Sequence, residues 1–135
     1  MIISGFPGVG KSTIFDKFGS VKVSDSDSSK FDKSKFPLNY LNHIMMVSKE
    51  KEIVMVSSHE DVRKGLVALK IPFTLVYPHS SLKSEYLDRY KNRGSPESFV
   101  SMMENNWDSF IDSCEKQTGC KKIVLQAGQF LIDVI

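Results

Sequence analysis

Nine residues near the amino terminus, Gly5-Phe6-Pro7-Gly8-Val9-Gly10-Lys11-Ser12-Thr13, constrain this chain more than any other stretch. They fit G-x-x-x-x-G-K-[ST], a pattern whose glycines let the backbone curl until successive N–H groups point inward at an anion. A helix following the loop adds the positive end of its dipole. In such a loop Gly8, Val9, Gly10, Lys11, Ser12 and Thr13 form the phosphate cradle. Lys11 reaches the β- and γ-phosphates of a nucleotide, and the Ser12 hydroxyl binds Mg²⁺. The pattern carries weight only between a strand and a helix. Met1-Ile2-Ile3-Ser4 is short and apolar, as a buried parallel strand should be. From Ser12 onward, Ile14, Phe15 and Phe18 fall on one helical face.

The remaining chain alternates strand and helix signals without a linker or repeat, which predicts βαβ units, a parallel sheet and one α/β domain over residues 1–135. Val21, Lys22 and Val23 suggest a short second strand. It runs into residues 24–36, the most polar stretch, which reads as an exposed, mobile loop. Pro37 suits the first turn of a helix carrying Leu38, Leu41, Ile44 and Met45. Residues 52–56 read as a third, central strand ending in Ser57-Ser58-His59. Ser58 with Asp61 resembles a capping box for a helix burying Val62, Leu66 and Leu69. Pro72 opens a fourth strand over 73–77. Leu82, Tyr86 and Tyr90 line a further helix, with Gly94 as the residue just past its end. Ser95-Pro96 starts a long helix whose stripe is Phe99, Met103, Phe110 and Cys114, with Trp107 nearby. Residues 122–126 give a fifth strand. The tail from Phe130 is apolar enough to pack back on the domain, in a form the pattern leaves open.

A net charge of +2 argues against a strongly basic nucleic-acid scaffold, though not against a local basic groove. No apolar run approaches the roughly 20 residues of a membrane helix. With the loop starting so near Met1 no signal peptide is expected, and Cys114 and Cys120 read as reduced thiols in a cytoplasmic protein rather than metal ligands.

Phosphoryl transfer is mostly positioning and charge neutralisation, and ligands of open parallel sheets lie outside the carboxyl ends of the strands. Asp25 and Asp27, two apart after the second strand, can face such a cleft together. One could hold metal-bound water, making Asp25 a metal candidate beside Ser12. The other could accept a proton from an attacking hydroxyl. Many phosphate-loop proteins carry an Asp at the end of the third strand; here Ser57-Ser58-His59 stands instead. His59 reads first as a strand-end packing residue. Arg89 and Arg93, four apart on one helix, could close over the phosphates as a lid spanning residues 79–98, Arg89 also serving nucleotide binding. Arg63 is a weaker candidate for the same work.

The loop, Asp25-Ser26-Asp27 and the run from Leu87-Asp88-Arg89 to Arg93-Gly94-Ser95-Pro96 give a resemblance to small phosphate-loop kinases of the nucleotide-kinase-like group, including phage- and prophage-encoded members. The Asp-x-Asp is similar to that of shikimate kinases, where the first Asp supports metal and the second holds the substrate hydroxyl. The arginine-rich run resembles the lid of phage-type polynucleotide kinases. The resemblance implies the three-layer α/β/α fold of phosphate-loop NTPases, with five parallel strands in the order 2-3-1-4-5. It also implies ATP and Mg²⁺ as cofactors and transfer of the γ-phosphoryl group to a nucleoside or nucleoside monophosphate. Two alternatives stand beside this. Lys30, Lys33 and Lys35, interleaved with Phe31 and Phe36, keep a polynucleotide 5′-hydroxyl kinase in view. The absent third-strand Asp favours a nucleotide-binding regulator without transfer activity.

Overall fold

A computed structural model describes residues 1–19, 21–26 and 31–135. Five strands, β1 (Ile2–Gly5), β2 (Val23–Asp25), β3 (Ile53–Ser57), β4 (Thr74–Pro78) and β5 (Lys121–Leu125), form one sheet. Every pairing is parallel and the order is β2-β3-β1-β4-β5. The helices are α1 (Lys11–Phe18), α2 (Leu38–Val47), α3 (Glu60–Ala68), α4 (Lys83–Asn92) and α5 (Glu97–Lys116). The expected three-layer α/β/α architecture and strand order are therefore present. The connection from β1 to β2 runs across the sheet one way and those onward from β2 run the other. With right-handed crossovers this puts α1 on one face and the later helices on the opposite one. The helix pairs agree: α2 packs on α3 and α4 on α5, while α1 meets the carboxyl-terminal turn Leu131–Asp133.

The central strand is β1, not β3, although β3 is interior and Val54, Met55 and Val56 are essentially inaccessible. Two interior strands buried on both faces explain why both read as continuous apolar runs. Phe6 extends the centre outward, meeting the Trp107 ring edge-on at 5.4 Å and the Tyr86 ring edge-on at 6.4 Å.

Several local expectations are corrected. The buried stripe of α5 is Val100, Met103, Trp107, Ile111 and Cys114, a strict 3–4 spacing; Phe110 lies beside it, 37% exposed. In α2 the core takes Tyr40, Leu41 and Ile44, leaving Leu38 and Met45 exposed, and Phe18 and Leu69 are exposed in the same way at the ends of their helices. The expected capping box at Ser58 does not form. His59 precedes the first turn of α3 without a side-chain bond, and Asp61 Oδ1 accepts from the neighbouring Val62 amide. At α5 the capping position falls on Pro96, because Ser95 Oγ is taken by Arg93 Nε at 2.8 Å. Gly94 does end α4 with φ of 79°, as expected. The stretch 24–36 is not uniformly exposed, since Ser26 is buried and the Tyr40 hydroxyl donates to its carbonyl. Among the described residues no helix is long and apolar enough to cross a membrane.

Candidate active site

The glycine-rich loop joins β1 to α1 at the carboxyl edge of the sheet. Its left-handed positions require glycine: φ is +90° at Gly8 and +100° at Gly10, values that side chains resist. Space is also denied. A methyl group on Gly8 would lie 2.9 Å from the Tyr90 ring, and one on Gly10 would lie 3.2 Å from Phe130.

Each carbonyl from Gly5 to Gly10 is held by a donor. Gly5 accepts from Lys11 Nζ at 2.8 Å, and Phe6 accepts from the Val9 amide at 3.2 Å. Pro7 accepts from the Tyr90 hydroxyl at 2.7 Å and Gly8 from Arg89 Nη1 at 2.9 Å. Val9 accepts from the Leu131 amide at 2.7 Å, and Gly10 from the Ile14 amide at 3.4 Å. A carbonyl turned into the loop would repel phosphate. Three of the six, those of Pro7, Gly8 and Val9, are held by donors from distant segments, and the other three by the motif and the start of α1. The amides of Gly8, Gly10, Ser12 and Thr13 have no partner among the described residues. Unsatisfied amides at a helix start carry a partial positive charge, which favours an anion there.

Arg89 is the largest departure from the expected geometry. Its guanidinium lies 4.3 Å from the Tyr86 ring centre and 3.9 Å from that of Phe130. It donates to Gly8 O, to Gln129 O and to Glu85 Oε2, each at 2.9 Å. Glu85 in turn accepts from the Gly128 amide at 3.0 Å. The side chain is thus a strut joining α4, the loop and the carboxyl-terminal segment. Arg93 stacks on a different aromatic pair, 5.0 Å from the Tyr90 ring centre and 5.5 Å from that of Phe99. The two arginines are not presented side by side over the loop. The 79–98 segment is already seated on it through Tyr86, Arg89 and Tyr90. Burial raises the Tyr86 phenol to about 12 and pushes Tyr90 up as well, so both stay neutral; Tyr90 donates to Pro7 O, while the Tyr86 hydroxyl makes no hydrogen bond among the described residues.

Arg63 is engaged by α5 and the end of β3. It is 3% exposed and donates to Ser58 O, Ser113 O, Ser113 Oγ and Gln117 Oε1, tying α3 and the end of β3 to α5. The strand-end position of β3, paired with Gly5, is Ser57. Its carbonyl accepts from Ser4 Oγ at 2.9 Å, while its own buried hydroxyl makes no hydrogen bond among the described residues.

Asp25 is the exposed last residue of β2, with β3 between it and the loop strand. Two interstrand steps place its backbone about 10 Å from β1. Asp27 lies outside the described residues. Ser12 and Thr13 are exposed in the first turn of α1. No group of three His, Cys, Asp or Glu among the described residues could hold a metal alone. The donors fit Mg²⁺ all the same. It favours hard oxygens, keeps several waters and takes most of its support from substrate phosphates, so Ser12 and, through water, Asp25 would be the residues to hold it.

Sequence reasoning read Tyr90 only as a core position and left the tail open. The polar tip of Tyr90 and the burial of Leu131, which makes no contact with water, are what fix the back of the loop. A tyrosine repeated on the apolar side of α4 was the available signal, since buried tyrosines seek a partner for the hydroxyl.

No family model matches the chain, and no curated protein matches it.

Proposed function

We propose that the protein is an ATP-dependent phosphotransferase acting on a small acceptor, a nucleoside or nucleoside monophosphate. The observation that supports this reading is the loop itself: six consecutive carbonyls each held by a donor, the amides of Gly8, Gly10, Ser12 and Thr13 without a partner among the described residues, and Lys11 beside them. Bound Mg²⁺ would neutralise charge on the β- and γ-phosphates. Ser12 orients that end of the nucleotide, and Lys11 stabilises the charge on the transferring group. The acceptor oxygen forms a bond to the γ-phosphorus as the bond to the β–γ bridging oxygen breaks. ADP leaves with the electron pair, and the hydroxyl proton passes to a carboxylate at the carboxyl edge, for which Asp25 and Asp27 are the candidates.

A nucleotide-binding regulator without transfer activity is the second reading. It is favoured by Ser57 at the strand end and by the full engagement of Arg89 in holding the fold. A polynucleotide acceptor gains little support. Phe31 packs edge-on against Tyr40 at 4.9 Å and Phe36 tilts on it at 5.6 Å, so both rings are committed to α2. The deciding experiment supplies labelled ATP and Mg²⁺ with nucleosides, nucleoside monophosphates and a 5′-hydroxyl oligonucleotide. Transfer to a small acceptor upholds the proposal. ATP binding without turnover on any acceptor selects the regulator.

A further inference from the structure

Beside the loop, between α3 and α5, lies a cavity of about 340 Å³. Phe6 and Pro7 of the loop form one wall, and Phe99, Met102, Met103 and Phe110 of α5 supply most of the rest. Three of these are aromatic and two are methionines, which adapt to a flat ring and make favourable contacts to its edge. Cavities of this size and lining hold small organic ligands. Met102 and Phe110 are 40% and 37% exposed although they belong to this wall, so large apolar surface is left open where a ligand would cover it.

The polar lining restricts the ligand further. Arg63 is its one Arg or Lys residue. Four of the five guanidinium N–H groups are spent on Ser58, Ser113 and Gln117, and the group is buried. The other charged residue in the lining is Glu60, held ionised by Lys64, which lowers its carboxyl below the ordinary value. Arg63 therefore has no free fork to offer a phosphate, and Glu60, already paired with Lys64 at 2.6 Å, adds no cationic donor. Arg93 is not part of the lining; its Nε is bound to Ser95.

We infer that this cavity is the acceptor subsite and that it takes a neutral, hydroxyl-bearing molecule with a flat aromatic ring, of the nucleoside class, rather than one already carrying a phosphate. The inference rests on the phosphotransferase reading for the word acceptor, but the binding it claims is measured separately. Between them, Ser58, His59 and Ser113 offer hydroxyl and imidazole groups for orientation, while the ring occupies the α5 wall.

The test titrates common nucleosides and their 5′-monophosphates into the full chain by calorimetry, with and without a non-hydrolysable ATP analogue. Met102→Trp, which fills the cavity from its exposed side, and Phe110→Ala, which removes a wall, are measured in parallel. At least one nucleoside should bind tenfold or more tightly than its monophosphate. Both variants should weaken it at least tenfold while the ATP analogue binds as before, which also shows that they fold. Equal or tighter binding of the monophosphates overturns the inference, and so does nucleoside binding unaffected by the two variants or no binding of any nucleoside. If Arg93→Ala removes a monophosphate preference, Arg93 supplies a phosphate subsite and the inference also fails. Loss of the phosphate-loop reading looks different: the ATP analogue would bind wild type and Lys11→Ala equally, whatever the nucleosides do.

Discussion

The two flanks of the phosphate loop are built in opposite ways. On the side of α4 and the carboxyl-terminal segment, Tyr90, Arg89 and the Leu131 amide each seize a loop carbonyl, and Tyr86 and Phe130 close on the glycines. On the side of α3 and α5 the same loop presents Phe6 and Pro7 to an apolar cavity. The first flank satisfies backbone and fixes shape; the second leaves room. A loop that must hold an anion without rearranging needs one rigid side, because reorganisation during transfer would cost part of the electrostatic stabilisation. An acceptor needs the other side open. Arg89 and Arg93 both have partners of their own in the fold. A sequence shows a guanidinium four residues from another; only the packing shows that each is already engaged.

The largest effect expected from breaking this arrangement is at Lys11. Lys11→Ala should lower transfer by about 10²–10³-fold, the typical worth of one aimed donor in such a site, and weaken ATP binding while the fold persists. Unchanged ATP affinity in a folded variant would end the phosphate-loop reading.

Next is Arg89→Ala, which strips Gly8 O, Gln129 O and Glu85 of a shared partner. Its side chain is only 13% exposed, so a loss of about 3 kcal/mol in unfolding free energy is expected, the upper range for one substitution in a polar network. ATP affinity should fall with it. Arg89→Lys should recover little, because an ammonium cannot reproduce the fork. Full stability with a pure kcat defect would instead restore Arg89 to the transferring phosphate, as a closing lid requires.

Tyr90→Phe removes one hydroxyl and leaves Pro7 O unpaired, for about 1 kcal/mol. ATP binding should weaken severalfold, whereas nucleoside binding in the α3–α5 cavity should not move. A loss at both subsites would erase the distinction between the flanks.

At neutral pH the smallest effect is on the cavity side, and it emerges only as pH rises. Burial raises the Cys114 thiol to about 11 from an ordinary 9.0. Above pH 9 the unfolded chain releases this proton before the folded one does. Stability contributed by the neutral thiol is therefore intact below pH 9 and declines as pH rises toward 11. Cys114→Ser should flatten that decline in denaturant titrations, and an unchanged pH profile would show that the thiol is more open than the packing of α5 indicates.

Much of the fold could be read directly. β1 and β3 are continuous apolar runs because both faces are covered, and the glycine pattern needs a strand before it and a helix after it. The errors cluster where an apolar residue sits one step off a stripe. Phe99 and Phe110 were read into the core of α5, but Val100 and Ile111 occupy those turns, and the two phenylalanines line the cavity instead. Periodicity locates a face to within about one residue, which is the width separating a core from a binding wall.

The sequence by itself determined the glycine-rich loop between β1 and α1, because a backbone that curls at two left-handed positions is written most readily with glycines, and this information is local. Which groups hold that loop was decided by tertiary structure alone. Tyr90 lies 83 positions from Pro7 and Arg89 lies 81 from Gly8. No local pattern encodes such pairings: they arise when the parallel sheet places β4, and with it α4, beside β1. The same placement set the cavity against the loop and committed Arg63 to α5, so the charge lining that cavity depends on where the helices pack and not on how many arginines the chain contains.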